Sequence, residues 1–411
     1  MTKTVVSDPG FPGWKVVAAC FILLATTAGL GFYGLAVYLN TFSRELGWDV
    51  SSVSLATTVF FLVSGVAGVF VAQLIDAVDA RIVICVGAVI GAISLALFGQ
   101  VQSKWQLFVV YAIFAVGWSA AGLVTASTIV TRWFQTRRAV ALSIASTGLS
   151  VGGIVITPLA KWLLDDQGLA GAAPWLALIW IIGVVPVTLL WLKPDPLKVG
   201  WHPDGVRVST NISAPIVSGT PYFEAVKSRF FIAVTVGYIL ALGSQVGAIQ
   251  QLVKLIEERT DRSTATLATT VLAATSVVAR LVGGRLVTRV GTMRLTVSLA
   301  AVQACSMVIL SWAATPLVAF AGIVVFGLTI GNILMLQPLL IAERFGVRDF
   351  PRLFSRTQLY TTAGTAGGPL LLGWLHDFAG GYRTSYLIAA VFSLSGALVL
   401  NMAGSTTVTE T

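Results

Sequence analysis

Apolar residues gather into twelve blocks, at about residues 14–39, 51–75, 81–101, 105–131, 138–164, 171–193, 229–253, 264–288, 293–313, 316–341, 352–376 and 382–403. Every block is at least 21 residues long, and a helix needs about 20 residues at ~1.5 Å each to cross a bilayer. The blocks do not break into the short alternating strands of a membrane barrel. Lipid offers exposed backbone no hydrogen-bond partner, so such blocks must be helical. The polar gaps between them are short except for residues 194–228, which are rich in Pro, Gly and Ser and read as a linker. The pattern predicts an all-α membrane protein with twelve transmembrane helices in two pseudo-symmetric six-helix bundles. Residues 1–193 form the first bundle, 194–228 a cytoplasmic linker and 229–411 the second bundle.

Composition sharpens this. The chain is 56% hydrophobic and 10% charged, against about 25% charged in soluble domains. Its net charge of +9 does not call for nucleic acid, because the basic residues sit in short loops between spans. With the N-terminus inside, 18 of the 26 Lys and Arg residues fall on the cytoplasmic side and seven outside, which places both termini in the cytoplasm. The N-terminal segment runs into span 1 without a small-residue cleavage site, so no removable signal peptide is expected. A multi-pass protein of the plasma or inner membrane follows. Cys20, Cys85 and Cys305 lie inside apolar runs, with neither metal nor disulfide spacing. No metal, cofactor or catalytic group is expected: the spans carry no Ser/His dyad, no paired aspartates and no His-x-x-x-His.

The remaining basic residue is Arg280. The apolar run from Thr264 to Ala279 has only 16 residues, so span 8 must continue through Arg280 to reach the far side. An arginine near the bilayer centre costs at least ~2.5 kcal/mol, and such a charge is by default a functional one. All 17 acidic residues fall at span ends or in loops, and none remains for the interior of a span. An anionic substrate is the natural counter-charge. The duller reading is that Arg280 snorkels toward Arg285 and the interface.

The chain also repeats itself. A shift of 212 residues lays Arg132 on Arg344, Gly152 on Gly364, and Trp162 and Asp165 on Trp374 and Asp377. Two parallel halves of this kind are a transporter architecture, with the substrate near mid-membrane. The stretch AQLIDAVDAR, residues 72–81, resembles the G-x-x-x-D-R-x-G-R-R loop of the major facilitator superfamily, matching at Asp76 and Arg81. The second copy, residues 284–294, keeps Gly284, Arg289 and Gly291 but has Thr288 for the acid. The resemblance makes Asp76, Arg81, Gly284 and Arg289 conformational-switch loop residues; as bare charge they are inside-positive turns.

Within the superfamily, RWFQTRRAVALSIASTGLSVGG (residues 132–153), the pairs Gly13-Trp14 and Gly47-Trp48, and SVVARLVGG (residues 276–284) resemble the monocarboxylate porter and oxalate:formate antiporter branch. In that branch an arginine on helix 8 binds the substrate carboxylate, and Arg280 falls on it. Three departures matter. Ser276 stands where animal monocarboxylate transporters carry an acid, residues 33–39 hold no lysine, and residues 359–368 are uncharged. One cation favours one carboxylate over two.

Helical spacing adds polar neighbours: Ser276 on span 8, Tyr33 on span 1, Gln245 on span 7, Asn332 on span 10 and Gln358 on span 11. Gln245 and Asn332 read equally well as bridges between helices. The function expected is secondary active transport of a small organic anion, a monocarboxylate, by alternating access. A coupling proton or an exchanged anion is a further partner left open, and the bilayer is the remaining one. The alternatives are a transporter or exporter of a larger amphipathic solute, such as a drug or vitamin, and a membrane receptor that does not transport.

Overall fold

A computed structural model describes residues 10–48, 50–205, 219–259, 262–379 and 381–404. Residues 206–218, in the linker, lie outside them. Contacts divide the chain into two units: Met1–Gly219 with Val347–Ser355, and Thr220–Gly346 with Arg356–Thr411.

The first unit holds α1 (Gly13–Thr27), α2 (Gly34–Leu46), α3 (Val50–Ala77), α4 (Ala80–Leu97), α5 (Lys104–Ala120), α6 (Leu123–Trp133), α7 (Arg138–Val151) and α8 (Thr157–Leu190). The short α9 (Tyr222–Ala225) lies near the end of the linker. The second unit is built from α10 (Arg229–Arg259), α11 (Arg262–Val290), α12 (Thr292–Ser311), α13 (Pro316–Phe345), α14 (Phe350–Ala379) and α15 (Tyr382–Met402). The start of α14 groups with the first unit.

Ten helical stretches among the described residues are long and apolar enough to cross a membrane. One of them, Arg138–Leu190, runs for 53 residues, far beyond one crossing. It holds spans 5 and 6, which meet at Gly168 with φ 68° and ψ −178°. The other difference is α14, whose 30 residues include Arg352, Arg356, Gln358 and four threonines. Its length suffices to cross, but its composition is too polar to qualify alone. With these two resolved, the count returns to twelve.

On several faces large apolar residues turn outward while small ones pack inward, the reverse of a soluble protein. On α4, Ile82, Val86, Val89 and Ile93 are exposed, while Gly87, Ala88, Gly91 and Ala92 are buried. Small inward residues let backbones approach, which is how helices pair where lipid is as apolar as leucine. The repeat is visible in this packing. A Cβ on Gly152 would overlap the Ala25 carbonyl oxygen of α1, and one on Gly364 would overlap the Ile239 carbonyl oxygen of α10. Gly152→Ala is therefore expected to lower stability by about 1–3 kcal/mol through overpacking. Gly367→Ala, where a Cβ meets nothing within 4 Å, is expected to leave the thermal midpoint unchanged or raise it. Equal midpoints for the two variants would refute this packing.

Two single turns of π-helix interrupt the first unit, at Ala28–Phe32 and Gly152–Ile156. Such bulges displace backbone hydrogen bonds, and unpaired backbone in lipid is costly. Side chains bond to carbonyls in and beside these turns. Trp118 Nε1 donates to Thr27 O at 2.8 Å. Thr157 Oγ1 lies 2.9 Å from Gly29 O and 3.4 Å from Gly152 O.

In the second unit an apolar core gathers Leu252, Leu272, Met307, Leu310, Phe326 and Tyr386. Buried polar groups gather outside it, on the face that α11 turns to α13 and around Gln303 of α12.

Candidate substrate site

Span 8 is realised as α11, and Arg280 is 2% exposed. Its Nε donates to the Gly331 carbonyl of α13 at 2.9 Å, which orients the plane of the guanidinium. Ser276, one turn earlier, is also buried. Ser276, Ala279, Arg280 and Gly283 follow helical spacing and share one stripe of α11. Val278, Leu281 and Val282 occupy the exposed side.

The partner face on α13 is shaped by glycine. A Cβ on Gly331 would stand 2.6 Å from Ser276 O, 2.9 Å from Arg280 Nε and 3.1 Å from Ser276 Oγ. Only a hydrogen at that position lets α13 reach the arginine. Next to it, Asn332 Nδ2 donates to Ala279 O at 3.0 Å and lies 3.1 Å from Leu328 O. Asn332 thus ties α13 to the residue before Arg280. Gly331 and Gly283 escape a search for polar residues; the signal present in the sequence is a glycine beside each polar member of the contact, in Gly331-Asn332 and in Arg280 with Gly283 one turn on.

Of the residues expected to share the site, the structure brings together Arg280, Ser276 and Asn332. Gln245 belongs to another polar cluster. Its Nε2 donates to Gln303 Oε1 at 2.6 Å. Gln303 Nε2 in turn lies 2.9 Å from Ser393 Oγ and 3.0 Å from Ala241 O. Gln245 therefore links α10 to α12 and α15, which matches its reading as a bridge between helices. Gln303 is fully buried and is not among the residues singled out from the sequence, although a glutamine inside an apolar run marks it. Gln358 lies half-buried on α14. Tyr33 belongs to the first unit, just after the first π turn, with Phe32 at 5.1 Å between ring centroids and Gly153 beneath its ring.

The four switch residues also have definite places. Asp76, in the last turn of α3, sits 3.0 Å from Arg132 and 3.7 Å from Arg352 within the first unit. Arg81 does not join that group. It pairs with Asp79 at 2.9 Å, and its backbone N–H donates to the same carboxylate, so Asp79 caps α4. Hydrogen bonds from Arg81 hold the Asp79 carboxyl below its usual range. The cap's stabilisation is therefore complete above the ordinary carboxylate pKa and fades as pH falls through the lowered value. In the second copy, Gly284 is buried inside α11 and Arg289 is exposed in its last turn. The turn itself shrinks to Gly291, with φ 89°. Thr288, in the position of Asp76, bonds only to Arg285 O among the contacts resolved for it. An acid appears nearby on α13 instead, where Glu343 accepts from Thr292 Oγ1 at 2.6 Å.

Among the described residues no group of three or more His, Cys, Asp or Glu side chains is placed to hold a metal ion.

Comparison with known proteins fixes the family. The Major Facilitator Superfamily profile matches residues 20–349 and 260–407. The chain belongs to the Major Facilitator Superfamily. As a superfamily member it is a transporter and a multi-pass membrane protein, not an enzyme. Monocarboxylate transporter 13 of Rattus norvegicus is 24% identical over 407 residues, covering 97% of this chain and 90% of the relative. An MFS transporter of Aspergillus flavus, asaE, is 23% identical over 403 residues, covering 95% and 86%. A crystal structure of the Escherichia coli fucose:proton symporter superposes with a TM-score of 0.69 at 16% identity, covering 95% of this chain and 98% of that one. A human organic anion transporter gives 0.71 at 15% identity, covering 96% and 100%. These two structural likenesses speak for the superfamily fold.

Proposed function

We propose that this superfamily member carries a small organic anion, a monocarboxylate, across the plasma or inner membrane by alternating access, with both termini in the cytoplasm. The observation that carries the reading is the burial of Arg280 in α11, with its guanidinium oriented by the Gly331 carbonyl. A cation is costly at that depth, and a fixed planar fork matches a carboxylate. Ser276 and Asn332 flank it and supply neutral polarity, as ligand sites do. Relatives named as monocarboxylate transporters, from rat and from mouse, support the substrate class at 24% and 26% identity.

On binding, the carboxylate neutralises Arg280 and lowers the cost of carrying the charge through an occluded state. A ligand drives a conformational change only through such a difference in affinity between states. Tyr33, Gln245 and Gln358 contribute to the remainder of the pocket or to the helices that frame it. Asp76, with Arg132 and Arg352, holds one state until transport releases it.

Net uptake of a labelled monocarboxylate into proteoliposomes tests the reading. Accumulation that follows an imposed gradient, and is competed by other short monocarboxylates, is the expected result. Binding with no flux would make the protein a receptor. Flux of large amphipathic solutes that small acids do not compete would point to the other transporter class.

A further inference from the structure

We propose that Asp204, in the linker, is a positioning residue for the conformational switch: it fastens the linker as a strap over the turn between α6 and α7 and so keeps Arg132 within reach of Asp76. It rests on the reading of Asp76 and Arg132 as a pair that holds one state, and every residue in it belongs to the first unit.

Arg132 is the last residue but one of α6, where the chain turns through residues 134–137 into α7. From there its Nη2 donates to Asp76 Oδ1 at 3.0 Å. The turn is held from outside. Arg137, at the cap position of α7, makes no side-chain cap bond. Instead the backbone N–H groups of Gln135, Thr136 and Arg137 all donate to the Asp204 carboxylate, at 3.2, 2.8 and 3.4 Å. Thr136 Oγ1 donates to it as well, at 2.8 Å. Successive N–H groups make a concave seat for an anion, and the start of a helix adds favourable charge.

The linker bends sharply to deliver that carboxylate. Asp204 has φ 63°, and among the described residues no other non-glycine has a positive φ. Gly205 follows at 92°. Aspartate enters this region more readily than most residues, and such a conformation persists only where its surroundings enforce it. The residues next to Arg132 are held by the same stretch. Trp133 Nε1 donates to Lys193 O, where α8 gives way to the linker, at 2.6 Å. Phe11 packs its ring against Trp133, Phe134 and the linker's Trp201, at 5.5, 5.7 and 5.6 Å between centroids. All four of these aromatic residues are buried. Lys198 reaches the other turn of the switch, where its charge acts on Asp79 between α3 and α4. Linker residues 193–204 therefore bind the turn after Arg132 and approach the turn after Asp76.

Hydrogen exchange of the purified full-length protein, without ligand, tests this in the wild type, Asp204→Asn, Asp76→Asn and the double variant. Asparagine tolerates the left-handed backbone but lacks the charge and one acceptor oxygen. The reporter is the last turn of α3 around Asp76, closed by Val78 N–H to Leu74 O at 2.8 Å. Asp204→Asn is expected to speed exchange about tenfold at residues 135–137 and about threefold at the end of α3. Asp76→Asn is expected to speed the end of α3 too. In that background Asp204→Asn adds nothing there, while still freeing residues 135–137. Faster exchange at 135–137 with the end of α3 unchanged would make Asp204 a cap for α7 alone and overturn the proposal. So would a further rise at the end of α3 in the double variant, or wild-type exchange at 135–137 in Asp204→Asn. If Asp76→Asn itself leaves the end of α3 at the wild-type rate, the pair holds nothing, and the switch reading falls and takes this one with it. Should Asp204→Asn not fold, Thr136→Val removes one donor to the carboxylate and decides in its place, with a rise of about twofold expected at the end of α3.

Discussion

Arg280→Ala is expected to yield a folded protein whose affinity for its anion is at least a hundredfold weaker, and whose uptake at low substrate concentration is lost. The size follows from the bonds removed. A charge-assisted hydrogen bond contributes about 1.5–3 kcal/mol, and a carboxylate on a guanidinium fork makes two. A hundredfold is about 2.7 kcal/mol, less than two such bonds contribute together. Folding should survive, because the substitution also removes a charge that is costly to place in the membrane. Its structural loss includes the donor to Gly331 O. Arg280→Lys is expected to restore little. A lysine brings the charge but not the planar fork, nor the Nε that bonds to Gly331. Saturation curves of uptake in proteoliposomes measure both variants. A purely structural arginine predicts the opposite pattern: a lowered thermal midpoint with unchanged half-saturation.

Gly331→Ala is the second large effect, and it comes from a residue with no side chain. Its added carbon would crowd Ser276 O at 2.6 Å and Arg280 Nε at 2.9 Å. The first of these is backbone, so α13 and α11 must separate. Overpacking of this kind costs about 1–3 kcal/mol. The move also lengthens the Nε–Gly331 bond and swings the guanidinium from its place. Anion affinity is expected to fall at least tenfold, in addition to the loss of stability. Wild-type affinity in Gly331→Ala would show that the contact with α13 does not position Arg280.

How much of this was legible in the sequence depends on what each feature rests on. The twelve crossings were, because lipid forces a long apolar run for each. Arg280 stood out for the same reason, as a charge where the run cannot stop. Gly168, which divides α8 into two crossings, lay in a visible polar gap between spans 5 and 6. The repeat was legible as well, and Gly152 and Gly364 now have the same task, letting one helix reach the backbone of another.

Side-chain partners were harder to read. Helical spacing gives the face a residue occupies but not which helix that face meets. Gln245 lies in the same unit as Arg280, yet its rotation about α10 turns it to Gln303, 58 residues away in sequence. Asp76 finds Arg132, 56 residues on, whereas Arg81 is taken by Asp79 two residues before it. Local pairing wins there because the carboxylate also caps the helix. Glycines were the least visible. Gly331 matters through what it leaves out, and only the geometry of α11 against α13 reveals that.

The most direct measurement is the thermal midpoint of the purified protein against a panel of short monocarboxylates, with Arg280→Ala measured beside the wild type. A ligand that binds only the folded state raises the midpoint by mass action, by ~2.7 kcal/mol of stability at a hundred times its dissociation constant. The expected result is that a few acids raise the wild-type midpoint and none raises that of the variant. If no acid shifts the wild type, or if the two proteins respond alike, Arg280 is not the carboxylate anchor and the monocarboxylate reading is contradicted.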